Sequence, residues 1–185
     1  MEINEQHYHA VQFYKDAESL AGTVARFLHE GLNIGEPAII VATAKHAAVV
    51  KAELAAMGVD VEELRRTGEL QILDARKLLS AFMVGDRPDP LMFRSNVGDV
   101  IERLCSGRQP CPIRVYGEMV DLLWQDGNPE GAIRLEILWN QLASAYDFAL
   151  LCGYAVGHFY KETAREGNAI EDVCRHHSHV IPSIN

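Results

Sequence analysis

Gly35-Glu36-Pro37-Ala38-Ile39-Ile40-Val41-Ala42-Thr43 is the stretch that decides the fold. A glycine–proline turn opens onto five consecutive apolar residues, and no polar side chain is left to face water. Such a strand is covered on both faces, as the central strands of parallel sheets are. Phe148-Ala149-Leu150-Leu151-Cys152-Gly153-Tyr154 repeats the pattern towards the other end. Shorter strand signals lie at 9–14, 70–73 and 113–116. Helical patterns fill the gaps. Asp16 caps one that ends at Gly31, and residues 45–57 form another, stopped by Gly58. Asp60 caps a short charged helix, residues 92–104 carry a regular apolar face, Pro129 opens a long helix, and a last pattern spans 168–176. Alternation of this kind predicts a three-layer α/β fold, a mainly parallel sheet with helices on both faces. No repeat or linker interrupts the chain, so residues 1–185 read as a single domain.

Composition narrows the function. Hydrophobic residues make up 48% and charged residues 23% of the 185, which is globular. The formal net charge of −9 opposes nucleic acid. The basic pairs Arg65-Arg66 and Arg76-Lys77 are mixed with acids and read as solvated helix faces. No apolar run approaches the roughly 20 residues of a membrane span, and the N-terminus is acidic where a secretory leader is basic. A cytoplasmic location is therefore expected. With it come four reduced cysteines, Cys105, Cys111, Cys152 and Cys174, of which Cys152 reads as a small core residue.

Four constellations carry chemistry. The segment after the first buried strand, Ala42-Thr43-Ala44-Lys45-His46, has no glycine to bring backbone amides to a phosphate, and no hydroxyl residue follows Lys45. ATP hydrolysis is not expected there. Thr43 is a candidate helix cap, and the helix start attracts anions weakly. Glu118 and Asp121 follow a strand three residues apart, and share a face if a helix begins at Gly117. Paired carboxylates there do acid–base work or hold a divalent ion; otherwise they simply favour a helix start. Glu136 and Asn140 lie four apart beside Trp139, either near a site or as an internal tether. Cys174, His176, His177 and His179, with distant His7 and His9, offer zinc or copper donors but no finger spacing; a polar helix end is the other reading. No metal or cofactor is assigned. Signatures of serine hydrolases, zincins and dinucleotide folds are missing.

The ordered set His9-Ala10-Val11-Gln12-Phe13-Tyr14, Gly35 to Thr43, Gly117-Glu118-Met119-Val120-Asp121-Leu122-Leu123-Trp124, Leu135-Glu136-Ile137-Leu138-Trp139-Asn140, Leu150-Leu151-Cys152-Gly153-Tyr154 and His179-Val180-Ile181-Pro182 resembles the MEDS sensory domain family. The resemblance implies a RecA/KaiC-like fold with a degenerate phosphate loop. It also implies a sensor of small organic compounds in two-component or transcription-regulatory pathways, usually fused to histidine kinases or DNA-binding modules. With residues 1–185 read as one domain, no output domain is expected, and a partner protein, a histidine kinase or response regulator, is expected to carry the signal. Self-association stays open.

The leading expectation is a non-catalytic module that binds a small organic ligand or signalling partner at the carboxyl ends of the central strands. Thr43, His46, Tyr116, Glu118, Asp121 and Tyr154 form that site, with Glu136 and Asn140 in support. The alternatives are a divergent nucleotide-dependent or carboxylate-based enzyme using Glu118 and Asp121, and a purely protein-binding adapter.

Overall fold

The computed structural model describes residues 8–159 and 169–181. The strands are β1 (His9–Tyr14), β2 (Ala38–Ala42), β3 (Leu70–Asp74), β4 (Met83–Val84), β5 (Arg87–Pro88), β6 (Ile113–Gly117), β7 (Phe148–Ala155) and β8 (His179–Ile181). Six of them form one sheet in the order β3-β2-β6-β7-β1-β8, every pair parallel, while β4 and β5 make a small antiparallel hairpin. The helices are α1 (Ala17–Leu32), α2 (Ala44–Ala56), α3 (Val61–Thr67), α4 (Ala75–Ser80), α5 (Pro90–Leu104), α6 (Met119–Gln125), α7 (Pro129–Leu142), α8 (Val156–Phe159) and α9 (Ala169–Arg175).

Strand alternation divides the core into two layers. Ala38, Ile40, Ala42, Tyr116 and Leu151 pack with α1, α2 and α3 on one face. Ile39, Val41, Val115, Leu150, Cys152 and Tyr154 pack with α4 to α7 on the other. Each buried aliphatic side chain of this kind contributes about 1.5–3 kcal/mol, so both faces hold the sheet strongly. The three-layer α/β architecture read from the sequence is present.

Two expectations change. Gly31 lies inside α1 rather than ending it. A Cβ there would meet Arg114 Cγ at 2.4 Å and Glu36 Oε2 at 2.9 Å, so the glycine makes room for the Glu36–Arg114 ion pair (2.6 Å). Cys105 and Cys111, expected as free thiols, are joined by a disulfide with Cα atoms 5.7 Å apart. Cys105 caps the end of α5, and Gly107, at φ +77°, helps turn the chain back so that Cys111 returns beside it. Cys152 and Cys174 are free thiols. The initial residue of the last helical pattern, Asn168, and Pro182 lie outside the described residues, as does His7.

The strand order creates two reversal points. The chain leaves β2 through α2 and α3 towards β3, but leaves neighbouring β6 through α6 and α7, on the opposite face, towards β7. Likewise α1 leaves β1 on one face, while Phe159 of α8, which follows β7, and Val173 of α9, which precedes β8, pack on the other. At such points the outgoing chains part, leaving crevices at the carboxyl ends of the strands.

Candidate functional site at the carboxyl edge of the sheet

Glu118 stands at the first of these reversal points. It occupies the cap position of α6, yet its side chain caps nothing in that helix. Instead Oε1 accepts the backbone N–H of Thr43, the residue that links β2 to α2. Oε2 lies 2.5 Å from His46 Nδ1 and accepts the Tyr116 hydroxyl at 3.1 Å. The carboxylate is 2% exposed, so all its hydration has been replaced by these donors. His46, half-buried in the first turn of α2, has its pKa raised: the hydrogen bond to Glu118 favours the imidazolium over the opposing cost of burial.

Asp121 fills the second reversal point. Oδ2 accepts the hydroxyl of Tyr14 at the end of β1 (3.1 Å). Oδ1 accepts the backbone N–H of Ala155 at the end of β7 (3.0 Å) and lies 2.8 Å from His158 Nδ1. Burial, with Asp121 and Glu118 nearby, pushes the Tyr14 hydroxyl pKa far up, so Tyr14 stays a donor. Its ring meets His46 edge-on, centroids 5.8 Å apart, which links the two carboxylate clusters.

The eight residues singled out in the sequence divide between two places. Thr43, His46, Tyr116, Glu118 and Asp121 converge at the carboxyl edge. Tyr154, Glu136 and Asn140 do not join them. Tyr116 pairs in register with Leu151, so Tyr154, three residues on, faces the opposite side of the sheet, and both rings are wholly buried. The Tyr154 hydroxyl donates to Glu136 Oε1 (2.7 Å), and Asn140 Oδ1 receives His9 Nδ1 (2.9 Å). Tyr14 and His158 are members of the edge site that the sequence reading passed over. Tyr14 was visible as the last residue of a strand, but His158 follows a strand without any periodic signal.

Burial disfavours the charged form of Glu136, but His177 and His9 outweigh it and hold the carboxyl well below its usual range. His177 is pushed up despite its own burial by the same partner. Cys152 and Tyr154, fully buried beside that carboxylate, are both raised well above their ordinary values, mainly by burial.

A cavity of about 280 Å³ lies elsewhere, between the start of β3 and the end of α5, lined by Thr67, Gln71, Arg103 and Arg108 among others. None of the buried polar residues His9, Gln12, Glu118, Asp121 and Glu136 reaches it. The carboxyl edge, where polar groups are deliberately desolvated and matched, is the stronger candidate site.

The sequence model of the methanogen/methylotroph, DcmR sensory domain family, MEDS, matches residues 8–178. The chain belongs to the MEDS family. No curated protein is detectably similar to it in sequence. A solved structure similar to this MEDS chain is an uncharacterized protein from Pyrococcus horikoshii, crystallised in complex with an unknown peptide. It is 14% identical, with a TM-score of 0.64, over 95% of this chain and 77% of that one. At that identity the likeness concerns the fold. Membership places the chain in a sensory family. Among the described residues no helix is long and apolar enough to cross a membrane.

Proposed function

We propose that this MEDS domain is a non-catalytic sensory module that reads a small organic ligand at the carboxyl edge of its sheet, through His46 and His158. One observation carries this reading: each reversal point holds a buried carboxylate that grips a half-buried histidine through Nδ1. With each Nδ1 taken up by a carboxylate, Nε2 is the ring nitrogen that would serve a ligand at that edge. The carboxylates fix ring orientation. Glu118 also favours the charged His46, so a ligand bearing a carbonyl, hydroxyl or carboxylate oxygen suits it, helped by the positive end of α2.

Catalysis at Glu118 and Asp121 fits this arrangement poorly. Both oxygens of each carboxylate already accept hydrogen bonds from the chain itself, so neither is a ready base or metal ligand. Only Thr43 separates β2 from α2, which leaves no loop to wrap a triphosphate. Since Glu118 links the β2–α2 junction to β6, and Asp121 links β1 to β7, ligand contact with the histidines would shift the junctions of four strands together. A signalling protein would read that shift.

Native mass spectrometry of freshly purified full chain tests the reading, followed by thermal-shift screening with small alcohols, aldehydes and carboxylates. We expect a small oxygenated compound to be retained or to raise the melting temperature, and His46→Ala to abolish the effect. A compound that stabilises parent and His46→Ala equally would show that binding occurs elsewhere.

A further inference from the structure

Glu136 is fully buried in the middle of α7 beside Leu135, Leu138 and Trp139, a costly place for a carboxylate. Four potential ligand atoms meet there: His9 Nε2, Cys152 Sγ, a Glu136 carboxylate oxygen and His177 Nε2, all within 4.8 Å of one another. They come from β1, β7, α7 and the turn after α9. His9 Nε2 is 3.4 Å from Cys152 Sγ and 3.2 Å from Glu136 Oε2, and Cys152 Sγ is 3.6 Å from the same oxygen. Donors around a tetrahedral zinc ion stand about 3.3–3.6 Å apart, from bond lengths near 2.0–2.3 Å. These three separations match such a site, and the remaining pairs lie within 4.8 Å.

The outer partners set the rings the same way. His9 Nδ1 faces Asn140 Oδ1 (2.9 Å), and Asn140 is itself oriented because its amide donates to the carbonyl of His176 (3.0 Å). His177 Nδ1 faces the carbonyl of Val173 (2.8 Å). Each Nδ1–H is taken up outside, and each Nε2 points inwards, as outer hydrogen bonds arrange imidazoles that bind metals. Hydrogen bonds alone leave one atom over. His177 Nε2 belongs to a wholly buried side chain and lies 3.4 Å from Glu136 Oε1, yet it has no aligned hydrogen bond.

We propose that His9, Glu136, Cys152 and His177 bind one zinc ion, which staples the C-terminal segment, α9 and β8, to the sheet. A thiolate and a carboxylate neutralise the dication and two neutral imidazoles complete the set, so the buried site carries no net charge. The mixture of sulfur, nitrogen and oxygen suits zinc, whose filled d shell accepts a protein-imposed tetrahedron. Four protein ligands close the coordination sphere, which is the pattern of structural rather than hydrolytic zinc. The staple would act together with Ser178, whose N–H donates to the His9 carbonyl at 2.8 Å. This site is separate from Glu118 and Asp121 and stands or falls independently of the sensory reading.

The test uses full chain purified without a histidine tag, stripped with chelator under reductant and titrated with Co²⁺. We expect saturation at one equivalent, intense tetrahedral d–d bands and a thiolate-to-cobalt charge-transfer band, all displaced by Zn²⁺. Cys152→Ser should lose the charge-transfer band. Asn140→Ala, which changes no ligand, should weaken affinity about 10–100-fold. If Cys152→Ser fails to fold, His177→Ala, at the tail, should still lose the tetrahedral spectrum. A stripped chain that gives no tetrahedral cobalt bands, or a His177→Ala protein with unchanged spectrum and affinity, would overturn the site.

Discussion

The carboxylate of Glu118, at the end of β6, lies 2.5 Å from Nδ1 of His46, in the first turn of α2. Through this contact and the bond from the Thr43 N–H, one side chain fastens two neighbouring strands at their carboxyl ends. Removing it would orphan the Thr43 N–H, the Tyr116 hydroxyl and the His46 ring in a dry setting. Glu118→Ala should therefore cost about 2–4 kcal/mol in urea denaturation. Glu118→Gln keeps an acceptor for Thr43 and should cost visibly less. Equal losses would mean that charge rather than hydrogen bonding holds the junction.

The same contact predicts a pH dependence. Glu118 raises the His46 pKa in the folded chain, so the folded state binds the proton more tightly than the unfolded one. The stability this adds is complete below the free imidazole value of about 6.5 and is lost as pH rises through the higher folded value. In His46→Gln, the fall in urea midpoint over that range should flatten. A parent profile superimposable on that of the variant would rule the coupling out.

Gly31 and Gly22, both within α1, should respond oppositely to alanine. At Gly22 nothing lies within 4 Å of an added Cβ, so Gly22→Ala should gain up to about 1 kcal/mol from helix propensity. At Gly31 the new carbon would strike Arg114, which is held by Glu36 and stacked 5.1 Å over Phe27. Gly31→Ala should lose about 1–2 kcal/mol. Paired melting curves decide it, and stabilisation by both variants would contradict the packing described.

Thiol counting tests the cysteines. Without reductant, the denatured chain should show two reactive thiols, because Cys105 and Cys111 are joined. In the native chain Cys174 should react first. Cys152 should wait for unfolding, since burial removes access and raises its pKa. Four reactive thiols would show Cys105 and Cys111 to be reduced.

Much of the fold was legible because apolar runs such as 38–42 and 148–154 have one structural solution. The placement of Glu118 and Asp121 after a strand was legible for the same reason. Other features depend on register and topology, which no local pattern carries. Tyr116 and Tyr154 read as members of one site, and only the pairing of Tyr116 with Leu151 puts them on opposite faces. Cys152 read as core because its neighbours are apolar; the polar groups around it arrive from β1, α7 and the tail. The thiol argument for Cys105 and Cys111 rested on compartment and gave no weight to the tight turn at Gly107. Gly31 read as a helix stop because the side chains it accommodates, Arg114 and Glu36, lie beyond its own helix.

The central claim, that the edge formed by His46, Glu118, Asp121 and His158 receives the signal, is tested most directly by imidazole-detected ¹H–¹⁵N NMR during titration with a compound that stabilises the chain. The account predicts that the ring signals of His46 and His158 shift first and together, and that Glu118→Gln weakens binding while the chain stays folded. If the histidine rings stay still while resonances of Thr67, Gln71 and Arg103 move, the ligand occupies the cavity between β3 and α5, and the edge site is structural.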